Sequence, residues 1–354
     1  MTRTVAVDAN PLTREAVTGT EVYARELAQR LPAAAPEIEW TFYAARPAAS
    51  AAVDLTVLPA PRLWSQTRLP AELWRRRPDL FFAPSHVVPY LAPGRTLTVV
   101  HDLAFERFPE AYRPFYRWYL RRTTRWALRR CPVVIAVSES TRRDLVELYG
   151  ADPRRVVVVH SAAAPPPFQL RVRRARLAEL GVTRPFALHV GRVEPRKSQA
   201  AALAAVERVP GLTLVSAGPI ADVRLADRLL ASGRARVLGR VAAGDLELLY
   251  RTASALVFPS LYEGFGFPVL EAMLRGLPVV TVRSSSLPEV AGDAALYAEG
   301  PDDIDGLAAA LRSAVEDPAV RKRLVAAGRR QAARFSWERT AAGVAEVIRG
   351  LLAR

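Results

Sequence analysis

Tyr262-Glu263-Gly264-Phe265-Gly266-Phe267-Pro268-Val269-Leu270-Glu271 decides how the rest of the chain is read. Ahead of it runs Ala255-Leu256-Val257-Phe258, apolar without alternation, the pattern of a strand covered on both faces of a parallel sheet. Behind it, Pro268 sits in a first helical turn, where its missing N–H costs nothing. Val269, Leu270, Met273 and Leu274 then supply a helical apolar face. A glycine-bearing loop from a buried strand to a helix N-terminus aims backbone N–H groups and a positive dipole end outward, which suits a phosphate or a ring of hydroxyls. Glu263 and Glu271 bracket that loop, and a pair of carboxylates invites a reading as general acid and base.

The same grammar repeats through the second half. Strands are predicted at Phe186–Val190, Leu212–Ala217, Arg236–Leu238 and Ala255–Phe258, with helices over Gln199–Arg208 and Gly244–Thr252. Gly191-Arg192-Val193-Glu194-Pro195-Arg196-Lys197-Ser198 follows one strand end directly. Glycine permits the tight turn, Arg192 offers a planar multi-donor fork and Lys197 a point charge, a pairing suited to a diphosphate. A solvated turn with incidental charge is the plainer reading. Gly218 and Gly239 also end strands, so several glycine-bearing ends converge on one sheet edge.

The first half opens with the strand Val5–Asp8 and a loop carrying Thr18-Gly19-Thr20. The helix after it is predicted to begin near Thr20 or Glu21 and to end at Leu31, before Pro32. Further strands are predicted at Ile38–Phe42, Leu80–Phe82, Leu97–Val100, Val133–Val137 and Val156–Val159, an open parallel α/β pattern. His101-Asp102 stands at the carboxyl edge of one of them, where ligands bind in such sheets; a histidine capping its own strand is the alternative. Ser138 reads as the N-cap of a helix ending at Tyr149-Gly150. From Phe105 to Arg130, aromatic residues interleave with arginines. As a basic aromatic helix this segment suits an anionic membrane surface, and as a core helix with an arginine-rich solvated face it needs no partner; both readings stand. Ala162-Ala163-Ala164-Pro165-Pro166-Pro167, stiff and without periodicity, is the best linker.

Composition bounds the function. The 354 residues exceed what one hydrophobic core usually serves, and no apolar run approaches the roughly 18 residues of a membrane span. The N-terminus lacks the apolar region of a secretory signal, and a single cysteine, Cys131, forms no internal disulfide, so a cytoplasmic location is expected. The net charge of +15 would fit nucleic acid, an anionic surface or an anionic substrate. Its even spread over both halves argues against nucleic acid. Lys197 and Lys322 are the only lysines among 50 basic residues, which makes Lys197 an unusual choice.

Glu263 to Glu271 resembles the two-glutamate motif, seven residues between the glutamates, of the family four retaining glycosyltransferases, which have the GT-B fold. The likeness spans nearly the whole chain. It takes in Thr18-Gly19, His101-Asp102-Leu103-Ala104-Phe105, Val137-Ser138-Glu139-Ser140, Gly191 to Lys197, Ser286-Leu287-Pro288-Glu289-Val290 and Phe335-Ser336-Trp337. The chain departs from the pattern at His160 to Pro165 and at the single-glycine loop around Gly19.

The resemblance implies two Rossmann-like domains facing each other across a cleft. Residues 1–165 would bind acceptor, with the C-terminal helix 337–354 crossing back to them, and residues 166–336 would bind a nucleotide-sugar. Arg192 and Lys197 would then clamp the diphosphate, with Gly19, Gly191 and Gly218 at the phosphate turns. Glu263 would meet the donor sugar beside the N–H groups of Gly264, Phe265 and Gly266, and Glu271 would accept from the ribose hydroxyls. Main-chain groups near Arg240 and Val241 would hold the base, and His101 would approach the transferred sugar. The family reading also implies that no metal or other cofactor is required. The donor would be GDP-mannose first and a UDP-hexose second. The acceptor would be a glycan, lipid-linked or small molecule. The expected location is cytoplasmic, with the inner face of the cell membrane as the alternative if the segment from Phe105 to Arg130 meets lipid. Glu263 is thereby expected to orient the sugar rather than attack it. A nucleotide-sugar epimerase of the same fold is the rival enzyme.

Overall fold

The computed structural model describes residues 2–14, 18–48, 53–60, 63–164 and 175–353. Short apolar runs need cover on both faces, and here each becomes a parallel strand flanked by helices. The chain divides into two compact units, Met1–Ala162 with Phe335–Arg354, and Ala163–Arg334. The proline-rich part of the predicted linker, Pro165–Pro167, lies outside the described residues.

The first unit holds β1 (Arg3–Asp8), β2 (Ile38–Ala44), β3 (Leu55–Val57), β4 (Leu80–Ala83), β5 (Arg95–Val100), β6 (Val134–Ala136) and β7 (Val156–Val158). They pair in parallel in the order β3-β2-β1-β4-β5-β6-β7. Val7 stands between Phe42 and Phe82 in register. The second unit holds β8 (Phe186–Val190), β9 (Thr213–Ala217), β10 (Ala235–Val237), β11 (Ala255–Phe258), β12 (Val279–Val282) and β13 (Ala295–Ala298), also parallel, in the order β10-β9-β8-β11-β12-β13. Both units are Rossmann-like α/β folds. The strand order reverses between β1 and β4 in one and between β8 and β11 in the other, and the crevice beyond such a reversal is where ligands bind in open α/β sheets.

Three predictions change. The first helix runs Gly19–Ala34 and carries Pro32 inside it. Pro32 forfeits one helical hydrogen bond, and fully buried Leu27 and Leu31 hold the last turns to the core despite that loss. The segment from Phe105 to Arg130 is not one helix: Ala104–Arg107, a 3₁₀ turn at Pro109–Ala111 and the helix Pro114–Arg130 divide it, because Pro109 and Pro114 each start a new element. Strands β3, β12 and β13 come in addition to those expected.

The C-terminal helix Trp337–Leu352 completes the first unit. Ser336 caps it, accepting from the Arg339 N–H at 3.2 Å. Trp337, Val344, Ile348, Leu351 and Leu352 are buried, and the Trp337 indole meets the Tyr23 ring edge-on with centroids 5.8 Å apart. Arg349 donates to Glu37 at 2.7 Å and to the Ala34 carbonyl at 2.7 Å, which fixes this helix along Gly19–Ala34. Among the described residues no helix is long and apolar enough to cross a membrane.

Candidate functional site

In the second unit, β8 and β11 lie side by side at the strand-order reversal, and each delivers a chemically charged segment to the same edge. β8 runs into Gly191, whose φ is +150°, and β9 into Gly218, whose φ is +152°. A Cβ on Gly218 would stand 2.0 Å from the Gly191 carbonyl oxygen, so no side chain fits there. Gly191 N–H donates to the Ala217 carbonyl at 2.9 Å, and Gly218 N–H to the Gly239 carbonyl at 2.8 Å, which ties the three strand ends together.

After that turn Arg192 is exposed, while buried Gln199 donates to its carbonyl at 2.7 Å. Pro195–Lys197 forms a 3₁₀ turn that folds the Lys197 side chain back over the Phe258 ring, with Nζ 5.4 Å from its centroid, and into an ion pair with Glu263. The Lys197 carbonyl accepts from Nε2 of buried His189 at 3.1 Å. Burial pushes His189 down to about 4, so it acts here as a neutral donor.

The segment carrying Glu263 is clamped from the loop after β12. Glu263 N–H donates to the Ser285 hydroxyl at 2.8 Å, and the Ser286 hydroxyl lies 2.9 and 2.7 Å from the Glu263 and Phe265 carbonyl oxygens. Arg196 donates to the Tyr262 carbonyl and pairs with Glu194 at 2.5 Å. Burial works to raise the Glu263 pKa, but Lys197 first and Arg196 second outweigh it and hold the carboxyl below its usual value. Burial also lowers the Lys197 pKa against the pull of Glu263. The result is a preformed, charged pair.

Gly266, at φ +107°, opens the helix Phe267–Leu274, with Leu287 3.2 Å from where a Cβ would stand. Gly264 and Phe265 complete the loop, Phe265 buried. Glu271 lies within this helix and accepts from the Tyr250 hydroxyl at 2.6 Å. Burial raises the pKa of Glu271, with Tyr250 and Arg275 pulling the other way. Gly191, Gly218, Lys197, Glu263 and the Gly264–Gly266 loop thus form one cluster. Arg240 is exposed and Val241 half-buried beyond β10, at the sheet's far edge. Arg196, Ser285, Ser286 and Tyr250 were given no role from sequence; of these Arg196, inside the basic turn, and Ser286, at the head of the Ser286–Val290 stretch, stood in segments already marked out, and Ser285 and Tyr250 did not.

In the first unit, His101 follows β5, and its Nε2 donates to the Pro84 carbonyl at 2.8 Å beyond β4. Tyr23 meets its ring edge-on at 4.9 Å, and burial lowers its pKa. Asp102 accepts from the Ala104 N–H at 3.0 Å. Gly19 is the first helical residue rather than a loop residue, behind a capping box formed by Thr18 and Glu21. Asp8, at the end of β1 and beside the strand-order reversal, also escaped the sequence reading. It is buried, accepts from the Asn10 N–H at 2.9 Å, and is pushed by burial to about 6. A carboxylate ending an apolar strand was its signal.

Comparison with known proteins now adds to this geometry. Residues 17–163 match the family described as Glycosyltransferase Family 4, and residues 176–331 the family described as Glycosyl transferases group 1. The chain is 33% identical over 277 residues to the O-antigen chain mannosyltransferase B of Escherichia coli, covering 73% of this chain and 71% of that one. Sucrose-phosphate synthase from Thermosynechococcus elongatus superposes with a TM-score of 0.75 at 20% identity, covering 99% of each chain. Anabaena HepE in complex with UDP and glucose superposes with a TM-score of 0.75 at 19% identity, covering 99% of this chain and 100% of that one.

Proposed function

This chain belongs to the family 4 glycosyltransferases of GT-B fold, and from that premise we propose that it moves a mannosyl residue from GDP-mannose to a hydroxyl of a glycan, lipid-linked or small-molecule acceptor, with retention of anomeric configuration. The observation that carries the reading is the Lys197–Glu263 pair at the β8/β11 reversal, beside exposed Arg192. Breaking the bond between the anomeric carbon and the diphosphate puts growing negative charge on the leaving group, and Arg192 and Lys197 meet it. An ammonium has three N–H donors, so pairing with Glu263 holds Lys197 in place and leaves donors for phosphate oxygens. One well-placed donor of this kind is worth about 2.7–4 kcal/mol. Glu263 orients the donor sugar, and Glu271 accepts from the ribose. With the diphosphate already a good leaving group, neither glutamate is needed as a general acid, and as the acceptor oxygen bonds to the anomeric carbon its proton passes to the departing phosphate. In the same reading, main-chain groups near Arg240 and Val241 hold the base, and His101 serves the transfer step as a neutral group.

Mannose rests on the similarity to the Escherichia coli mannosyltransferase. A UDP-hexose is the second reading, favoured by the UDP and glucose in the HepE complex. Thermal shift against GDP, UDP, GDP-mannose and UDP-glucose decides between them. GDP and GDP-mannose are expected to stabilise the protein by mass action and UDP compounds far less; the reverse order would install the second reading.

The acceptor side includes an anionic membrane surface. On the helix Pro114–Arg130, Phe115, Trp118, Arg122, Arg125 and Arg129 recur at helical spacing and are exposed, with the Arg122 guanidinium 5.2 Å from the Trp118 ring centroid. Rings at headgroup depth and arginines on lipid phosphates are the physics of such a stripe. Replacing Trp118 and Arg122 with alanine is expected to lower cosedimentation with phosphatidylglycerol vesicles several-fold; unchanged binding returns the stripe to a solvated face.

A further inference from the structure

Tyr250 closes the helix Ala243–Thr252 just ahead of β11 and is buried, with only 2% exposure. A phenylalanine would fill that space equally well, so the hydroxyl needs a reason to be there. Its acceptor is Oε2 of Glu271, 2.6 Å away. The arginine nearest this pair is committed elsewhere: Arg275 donates through Nε to Glu247 Oε2 at 2.7 Å and through Nη1 to the Glu271 main-chain carbonyl at 3.0 Å, and its guanidinium lies 5.1 Å over the Tyr250 ring. Glu247 is further neutralised by Arg251 at 2.5 Å. Among the described residues no ion pair reaches the Glu271 carboxylate. A carboxylate gripped by a guanidinium fork has its acceptor sites filled, whereas one held by a single neutral hydroxyl keeps an oxygen open.

We propose that Tyr250 is a positioning residue for nucleotide recognition: by holding Glu271 Oε2, it aims Oε1 at the vicinal hydroxyls of the donor's ribose. This rests on the reading above that Glu271 takes the ribose. The inference adds which residue sets the carboxylate's direction, and why Arg275 is turned away from it.

Discrimination between ribose and deoxyribose tests it, because a residue that only fills the core would not change that ratio. Isothermal titration of the wild type, Tyr250→Phe, Glu271→Gln and the double variant would use whichever of GDP and UDP binds the wild type, together with its 2′-deoxy and 3′-deoxy forms. The wild type is expected to prefer the ribonucleotide by at least about tenfold, the size of one hydrogen bond to a charged group. Tyr250→Phe is expected to reduce that preference about fivefold while its affinity for the deoxy forms moves little. The double variant is expected to be no worse than Glu271→Gln alone, as for two residues acting on one contact. Equal weakening for ribo and deoxy forms in Tyr250→Phe, or additive losses in the double variant, would overturn the proposal. A wild type that binds the nucleotide without preferring ribose would instead sink the ribose reading, and this inference with it. Phenylalanine keeps the ring and adds no atom, and a melting curve on each variant confirms that the fold is retained.

Discussion

Glu263 and Glu271 come from one short motif, yet their surroundings oppose each other. Glu263 faces two cations, Lys197 and Arg196, which overcome burial and hold its carboxyl below the usual value. Glu271 faces a neutral phenol, and burial wins, so its pKa lies above the usual value. The difference teaches what each is suited to. A carboxylate paired with a lysine fixes that lysine and is itself half-satisfied, so it serves as an anchor in a charged cluster. A carboxylate held by one hydroxyl remains hungry for further donors, so it serves as a receptor for hydroxyl groups.

Lys197→Ala strikes the charged side of the contrast hardest. Turnover with every nucleotide-sugar is expected to fall about 10²–10³-fold, the range for losing one preorganised donor, as read from initial rates of nucleoside diphosphate release. Near-normal rates would remove Lys197 from the phosphate role and dissolve the contrast.

Glu263→Gln and Glu271→Gln sharpen the contrast through the sign of a smaller effect. With its pKa depressed in the fold, Glu263 contributes stability that is present above its unfolded value near 4.3 and lost as pH falls through the lower folded value. The advantage of wild type over Glu263→Gln should therefore be open at pH 7, at about 3 kcal/mol for an uncompensated buried Lys197, and should narrow on acidification. Glu271 behaves oppositely. Its raised pKa means the fold binds the proton more tightly, so wild type should lose ground to Glu271→Gln as pH rises from about 4.3 through the folded value. Denaturant melts from pH 3 to 8 on the three proteins read both slopes; slopes of the same sign would refute the electrostatic assignment.

Sequence carried most of the scaffold because buried parallel strands need continuous apolar runs, and Phe186–Val190 and Ala255–Phe258 coincide with their predictions to the residue. Short or flanking runs such as Leu55–Val57 carry too little pattern to stand out. Pro32 misled because the one hydrogen bond a proline forfeits is outweighed here by the burial of Leu27 and Leu31, which only the packed structure shows. The charged residues of the site were legible as residue types at strand ends. Their partners were not: Lys197 and Glu263 are 66 residues apart, and Tyr250 and Glu271 lie on different helices. Within Phe105–Arg130, composition could not separate buried Phe105 from exposed Phe115 and Trp118.

The helix Trp337–Leu352 carries a consequence for how the protein is made. Its indole and aliphatic stripe cover Tyr23 and the helix Gly19–Ala34, so the first unit is assembled from segments that lie on either side of the whole second unit in the sequence. At about 5–20 residues per second, the ribosome needs on the order of 10–40 s to pass from Ala162 to Leu352. Through that interval the nascent first unit carries an uncovered apolar groove while the whole second unit has time to fold.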